Sequence, residues 1–154
     1  MSLFFFSVLA QDSNPDQHSV LLAYENTRFK RSLIKEMQKQ LEDRDVSVTV
    51  VRHSSRGLEI EESSQYSAIF ITNSGVNSEI RPWIVEWLNE NRDFNILLHT
   101  TQTRSWEPQT KVDAVTSAST VSDAEKLALK YVEKLIKLYS ETPPESKDEE
   151  PQAQ

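Results

Sequence analysis

The sequence predicts an α/β protein with a three-layer architecture, built on an open and mostly parallel sheet of four or five strands. Short apolar runs of strand length alternate with longer segments in which apolar residues recur every three or four positions. Strands that are joined through helices must run parallel to one another. A chain of 154 residues with 37% hydrophobic and 27% charged residues fits one globular domain.

The strands differ in how apolar they are. Residues 18–24 are almost continuously apolar, which predicts a strand buried on both faces, whereas residues 45–52 alternate valine with polar residues and predict an edge strand. Residues 66–72 and 94–99 give the third and fourth strands, and residues 112–115 give an optional fifth. Right-handed crossovers then predict the strand order 2-1-3-4, with a fifth strand at the edge if it forms.

The first helix is predicted over residues 27–42, with Asn26 or Thr27 as its N-cap. Phe29, Leu33, Met37 and Leu41 recur every four positions and form its buried stripe. The basic residues of this helix are interrupted by acidic ones, and this mixture predicts a solvated face. The basic residues are Arg28, Lys30, Arg31, Lys35 and Lys39. Because the net charge is −7, we do not expect nucleic acid as a partner.

Two further helices are predicted. One covers residues 78–91, with Pro82 in its first turn, where a missing N–H does least harm. The other covers residues 122–139 and opens on Ser122, which with a glutamate three residues later forms a capping-box pattern. Residues 140–154 are rich in Pro, Glu and Gln, and we predict a disordered acidic tail.

The order of elements over residues 18–139 resembles the flavodoxin-like fold. In such sheets a ligand binds beyond the carboxyl ends of the strands, where the strand order reverses. The loops expected there supply the candidate ligand-binding residues Asn26, Thr27, Arg28, Asn73, Ser74, Thr100 and Trp106. The resemblance implies flavin mononucleotide (FMN) at this place, held by Asn26, Thr27 and Trp106. The loop at residues 24–30, however, contains no glycine, the residue that lets a backbone approach a phosphate closely.

A second segment with a flavin-like pattern is found at residues 112–122. It resembles the Asp-x-x-Ser/Thr-Gly-Ala-Ser/Thr motif on which certain exported proteins carry covalently attached FMN. The resemblance implies Ser119 as the acceptor and Asp113 as the acid of the motif, with Ser117 standing where the motif has glycine. A receiver domain is not indicated, because no acidic pair follows the first strand and Asn73 stands where a phosphorylatable aspartate would end the third.

The residue types that are absent exclude several kinds of chemistry. With no cysteine, thiol catalysis, disulfides and cysteine metal sites are excluded. His18, His53 and His99 are far apart in the sequence, and we interpret them as surface or strand-end residues and expect no metal site. A Ser–His–Asp triad is defined in space, so it stays open as a third-ranked alternative.

The N-terminal residues resemble the end of a secretory signal peptide. Residues 3–10 are mostly apolar and end in Val8-Leu9-Ala10, a pattern that fits cleavage before Gln11. We therefore predict residues 1–10 as a signal-peptide remnant and an exported protein, periplasmic or extracellular, with a cytoplasmic location as the alternative. The run is too short to span a bilayer, and residues 11–17 are a predicted linker.

Together these observations predict a non-enzymatic flavodoxin-like domain, without a cofactor, that binds a protein partner or a small ligand at the carboxyl ends of its strands. The scaffold pattern is complete, but both segments that resemble flavin sites lack their glycine. The alternative is an FMN-binding electron-transfer protein.

Overall fold

A computed structural model describes residues 17–54, 58, 62–75, 79–102 and 108–141 of the chain. The strands and helices follow one another along the chain in the predicted order. The strands are β1 (Ser19–Glu25), β2 (Ser47–His53), β3 (Ala68–Ser74), β4 (Ile96–Thr101) and β5 (Asp113–Ser117), and the helices are α1 (Arg28–Glu42), α2 (Pro82–Glu90) and α3 (Ala124–Glu141). Short 3-10 turns cover Ser63–Gln65 and Val121–Asp123.

The five strands form one parallel sheet in the order β2-β1-β3-β4-β5. This confirms the predicted order 2-1-3-4 and shows that the optional fifth strand forms, at the outer side of β4. The direction of strand addition reverses between β1 and β3, because the chain first adds β2 on one side of β1 and then crosses to the other side. The carboxyl ends of β1 and β3 therefore flank the switch point of the sheet.

The two faces of the sheet are covered differently. Helices α1 and α3 pack together on one face, which we call the two-helix face, over buried residues such as Val20, Leu22 and Phe70. The nine-residue helix α2 lies on the other, the one-helix face, over residues such as Leu21 and Ile71. Alternate residues of β1 point to opposite faces and both sets are fully buried, which confirms the prediction of a central strand.

The ends of α1 are capped without glycine. Thr27 is the N-cap, and its hydroxyl accepts a hydrogen bond from the backbone N–H of Lys30 at 3.2 Å. After the last turn, Asp45 adopts a left-handed backbone conformation with φ 59°, which Asp and Asn tolerate better than most residues. A scarcity of glycine is therefore compatible with the tight turns of this fold.

The strand β1 extends one residue further than the sequence predicts, to Glu25, and β3 and β4 extend two residues further, to Ser74 and Thr101. The extra residues are polar, so hydropathy does not indicate them, yet their backbones continue the ladder between β3 and β4. Helix α2 begins at Pro82 and not at residue 78, since the N-cap is Arg81. The capping-box prediction for Ser122 is also wrong, because Ser122 lies inside the 3-10 turn that precedes α3.

Several predictions concern residues outside the described ranges and stay predictions. They are the signal-peptide remnant at residues 1–10, the linker at residues 11–17 apart from Gln17, the tail beyond residue 141, and Trp106. Among the helices that the structure describes, none has the length and apolarity needed to cross a bilayer.

Candidate functional site

A buried carboxylate lies at the switch point of the sheet. Glu25 is the last residue of β1 and follows five buried apolar residues. Although its side chain is charged, the residue is only 9% exposed. Its Oε2 accepts hydrogen bonds from Lys30 Nζ at 2.9 Å and from the hydroxyl of Ser74. Its Oε1 accepts from the backbone N–H of Ser74 at 3.2 Å and from Arg81 Nε at 3.0 Å. Each carboxylate oxygen therefore accepts two hydrogen bonds, from groups of α1, of β3 and of the residue that caps α2.

Lys30 supplies the buried cation of this cluster. The residue is 1% exposed, and its Nζ donates to Ser74 Oγ at 2.8 Å as well as to Glu25. The prediction that Lys30 belongs to a solvated basic face is therefore wrong, because the first turn of α1 directs this side chain toward the sheet. Arg28, Arg31, Lys35 and Lys39 are exposed, as expected.

Arg81 joins helix α2 to the same carboxylate. Its backbone N–H donates to Asn73 Oδ1 at 3.2 Å, and its guanidinium donates to Glu25. Asn73 is fully buried and also donates from Nδ2 to Thr100 Oγ1 at 3.3 Å. The polar residues at the ends of β3 and β4 therefore fix the start of α2 as well as the sheet.

The charges of the cluster stabilise the ionised form of Glu25. Burial alone would raise the pKa of this carboxyl group, but the hydrogen bonds from Lys30 and Ser74 and the charges of Lys30 and Arg81 outweigh it and lower the pKa from 4.5 to about 2. Burial lowers the pKa of Lys30, and its hydrogen bond to Glu25 opposes that effect. We treat the pair as an ammonium–carboxylate ion pair, because both groups find complementary charge and donors.

His53 and Trp83 border the cluster on the one-helix face. His53 is 5% exposed, its Nε2 lies 2.7 Å from the carbonyl oxygen of Thr72, and its ring meets that of Trp83 edge to face. A carbonyl can only accept, so Nε2 carries the hydrogen and Nδ1 of the neutral ring is an acceptor. Burial lowers the pKa of His53 and keeps the ring neutral. Within the described residues, His53 Nδ1 and Trp83 Nε1 are buried and have no hydrogen-bond partner.

A second histidine is buried deeper, under the two-helix face. His99 in β4 is fully buried between Phe70 and Tyr131, and its Nε2 lies 2.8 Å from Ser117 Oγ. Burial lowers its pKa to about 3. The interpretation of His53 as a strand-end residue is confirmed, because it is the last residue of β2. His99 is not at a strand end, since two more residues of β4 follow it, and neither histidine is a surface residue. His18 is exposed.

The structure brings most of the predicted ligand-binding residues to the carboxyl ends of the strands. These are Asn26, Thr27, Arg28, Asn73, Ser74 and Thr100. Their contacts are internal where they are known: Thr27 caps α1, and Asn26 Oδ1 lies 3.4 Å from Arg31. Their ligand-binding roles stay predictions.

The pair proposed for covalent flavin attachment is split along β5. Asp113 begins that strand and pairs with Leu97, whereas Ser119 follows its last residue, Ser117, which pairs with Thr101. At about 3.3 Å per residue the strand separates its two ends by roughly 13 Å. Asp113 and Ser119 are both exposed. The flavin-attachment roles of these two residues stay predictions.

Sequence inspection missed Glu25, Lys30 and Arg81 as members of one cluster. One signal was present, since Lys30 stands three and four positions before Leu33 and Ile34 and so falls within the buried stripe of α1. One glycine near the cluster has a packing role: a Cβ on Gly75 would lie 2.9 Å from Thr100 Cγ2, too close without a shift. Among the described residues, no group of three His, Cys, Asp or Glu side chains could hold a metal ion.

Comparison with known proteins gives a fold and no family. No protein-family model and no curated protein matches the sequence. The response regulator domain of Thermotoga maritima CheB has a TM-score of 0.56 and 13% identity, covering 82% of this chain and 100% of that one. A flavodoxin from the domain Archaea has a TM-score of 0.52 and 12% identity, covering 77% and 99%. A lysine decarboxylase from Francisella novicida, LdcF, has a TM-score of 0.52 and 9% identity, covering 84% of this chain and 18% of that one.

These likenesses, together with the strand order, show that the chain has a flavodoxin-like fold. Flavodoxins and response regulators share this fold, and at such low identities the likeness carries no function.

Proposed function

We propose that the protein is a non-enzymatic flavodoxin-like domain that binds a partner protein through the surface at the carboxyl ends of its strands. The observation that carries this proposal is the position of the Glu25 carboxylate. It lies at the switch point, where sheets of this kind hold the anionic part of a ligand, and it already accepts four hydrogen bonds. A phosphate entering there would have to displace an anion whose charge Lys30 and Arg81 neutralise.

The protonation states of the cluster support a non-enzymatic role. Among the described residues, Ser74 is the one whose hydroxyl bonds the side chains of both Lys30 and Glu25. A serine nucleophile needs a neighbouring base whose pKa is near the working pH. Glu25, with a pKa of about 2, is a very weak base, and Lys30 donates hydrogen bonds to Glu25 and to Ser74. The arrangement therefore favours a stable structural network over acyl transfer.

One observation favours a small polar ligand as a second candidate. His53 Nδ1 is a buried acceptor and Trp83 Nε1 a buried donor, and neither has a partner within the described residues. A neutral ligand with one donor and one acceptor would satisfy both groups. Intrinsic tryptophan fluorescence would test this, because a ligand seated there changes the emission of wild-type protein and leaves that of a Trp83→Phe variant unchanged.

The cofactor and the location of the protein remain proposals with direct tests. We propose that the protein carries no FMN, and a purified protein without visible absorbance whose melting temperature does not respond to excess FMN would support this. Bound FMN would establish the electron-transfer alternative. We propose export on the pattern at residues 1–10, and N-terminal sequencing of protein from its native host tests it, since an intact Met1 or Ser2 end contradicts cleavage.

Site-specific photo-crosslinking in the native host tests the proposed binding surface. The photoreactive residue replaces Asn26, which is exposed at the carboxyl end of the sheet, or Glu133, which is exposed on α3. We expect a discrete protein adduct from position 26 and none from position 133. Adducts from position 133 alone, or equal adducts from both, would contradict binding at the strand ends.

A further inference from the structure

The strand β2 lies at one edge of the sheet. This seven-residue strand lies at the margin of the sheet and pairs only with β1 among the described residues. Thr49, Val50 and Arg52 are exposed, and Val50 is 37% exposed although it is apolar and β-branched. An edge strand of this kind presents unpaired N–H and C=O groups that can template a further strand.

The backbone groups that face outward can be assigned. The N–H of Ser47 donates to the carbonyl of His18 at 2.9 Å, so it points toward β1. In a parallel strand the N–H and C=O of one residue point the same way, and the direction alternates along the chain. The outward groups of β2 are therefore those of Val48, Val50 and Arg52.

Three cations flank this edge on the two-helix face. Helix α1 packs α3 on the side of Glu36 and Gln40, which line a groove with Ser122 and Glu125. Arg31 lies nine positions from Gln40, about two and a half turns, and so is on the opposite side of α1, toward β2. Lys35 is one turn further along the helix from Arg31.

The third cation comes from the strand itself. Arg52 Nε lies 3.1 Å from Tyr24 Oη, on the two-helix face. Arg31, Lys35 and Arg52 are all exposed, and among the described residues none of them forms an ion pair. Exposed cations toward this edge, in a chain of net charge −7, favour an acidic partner, and the one acid on the same side of α1, Glu42, lies about three turns from Arg31 at the end of the helix.

We propose that β2 binds an extended, acidic segment of a partner protein as a sixth strand of the sheet. Backbone hydrogen bonds to Val48, Val50 and Arg52 would supply affinity, and acidic side chains at every second position would face Arg31, Lys35 and Arg52. A second copy of this chain fits the edge less well, because it would bring the same cations to both sides of the interface. This surface is distinct from the strand ends, so the inference goes beyond the proposed function.

Nuclear magnetic resonance titration of the purified full chain tests the proposal. The probe is a blocked nonapeptide of alternating Glu and Thr, and two matched peptides alternate Lys with Thr or Glu with Pro. We expect the Glu/Thr peptide to shift the amide signals of β2 and of the Arg31–Lys35 turn, with binding that weakens several-fold between about 50 and 300 mM salt. The Lys/Thr peptide lacks the charge, and the Glu/Pro peptide lacks the N–H groups, so neither should bind.

Substitutions test separately the positive charge of α1 and the outward backbone groups of β2. The double variant Arg31→Glu and Lys35→Glu should weaken the Glu/Thr peptide by about tenfold or more. The matched reversal on α3, Lys130→Glu and Lys134→Glu, changes the same net charge and should leave binding unchanged. Val50→Pro removes one outward N–H and should abolish binding in protein that stays folded by circular dichroism. If Val50→Pro does not fold, the two charge-reversed variants decide the outcome.

Several results would overturn the proposal. They are equal binding of the Glu/Pro or Lys/Thr peptide, an equal loss in the α3 variant, and signal changes confined to regions away from β2. Concentration-dependent dimerisation that excludes the peptide would assign the edge to a second copy. Changes in β2 signals on deletion of residues 142–154, without any peptide, would assign it to the chain's own C-terminal segment.

Discussion

Glu25 and His99 are both buried near the carboxyl ends of strands, yet Glu25 is ionised and His99 is neutral. Four donors from α1, β3 and Arg81 surround the carboxylate, and its pKa falls to about 2. The imidazole is packed among aromatic rings with one hydroxyl partner, and its pKa falls to about 3. A charge therefore persists in this core only where separate elements bring donors and an opposite charge to it.

Removing the carboxylate should have the largest effect. Glu25→Ala leaves Lys30 buried without its counter-ion, and breaking a buried pair from one side typically costs about 3–5 kcal/mol. We expect a loss of that size in the free energy of unfolding, measured by urea denaturation. The double variant Glu25→Gln and Lys30→Met removes both charges and should recover most of the loss.

The matched control is Glu133→Ala, which removes an exposed acid of α3 and should change the unfolding free energy by less than about 0.5 kcal/mol. Equal losses in Glu25→Ala and Glu133→Ala would mean that the cluster does not stabilise the fold. A double variant no more stable than Glu25→Ala would mean that the carboxylate acts by something other than its pairing with Lys30.

The neutral histidine should make the protein sensitive to mild acid. The pKa of His99 is about 3 in the folded protein and 6.5 when unperturbed, so between these values the unfolded chain binds a proton that the folded protein does not. Its contribution is therefore complete above pH 6.5 and is lost as the pH falls toward 3. At pH 4.5 the loss should be roughly 2–3 kcal/mol. The contribution of Glu25 to stability is lost at lower pH, between 4.5 and about 2, because the pKa of Glu25 is also lowered in the folded protein.

The variant His99→Phe separates these two ranges. In this variant the unfolding free energy should depend much less on pH between 6.5 and 4.5. A smaller dependence should remain from His53, because the pKa of His53 is also lowered. The part of the loss that Glu25 causes between pH 4.5 and about 2 should persist, whereas the His99 part, which continues down to about pH 3, should disappear. Ser117→Ala keeps the buried imidazole and should keep the slope of the wild type. An unchanged slope in His99→Phe would show that other groups govern the acid sensitivity.

The two groups also differ in how far the sequence predicts them. Hydrophobic periodicity was enough for the sheet, its order and the helices, because burial on one or two faces leaves a direct pattern of apolar residues. The same logic places Asn73, Ser74 and Thr100 at the strand ends. The sequence also predicts the strand that carries His99, but it places the histidine at the end of that strand, whereas two more polar residues of β4 follow it.

Hydrophobic periodicity does not predict the charged cluster. Its three charges, Glu25, Lys30 and Arg81, come from separate elements, and Arg81 is 56 positions from Glu25. Only the packed structure brings them together, and a lysine on an amphipathic helix is usually solvated. The sequence signal for Lys30, its place in the apolar stripe of α1, gains meaning only once its acidic partner is known. The flavin-attachment roles of Asp113 and Ser119 stay predictions, and these residues lie at the start of β5 and beyond its end.

A small carboxylate should partly replace the missing side chain of Glu25→Ala. Acetate fits the space because it carries the same group to Lys30, Arg81 and the Ser74 N–H. At ten times its dissociation constant it should raise the unfolding free energy by about 1.4 kcal/mol, seen as a higher melting temperature. Wild-type protein and chloride at equal ionic strength are the controls. Equal stabilisation of wild type and variant by acetate would mean that no anion site opens.

The smallest expected effect is the difference in stability loss between substitutions at Thr27 and at Asn26. Thr27 caps the turn of α1 that carries Lys30, and an N-cap Thr→Ala change typically costs about 1 kcal/mol. Asn26 is exposed, and among the described residues its side chain bonds only that of Arg31, so Asn26→Ala should cost less than about 0.5 kcal/mol. In the Glu25→Gln and Lys30→Met background the Thr27→Ala loss should stay near 1 kcal/mol if the cap acts on the helix alone. A loss that disappears there would show that Thr27 stabilises the protein through the ion pair, and the cap would then belong to the charged cluster.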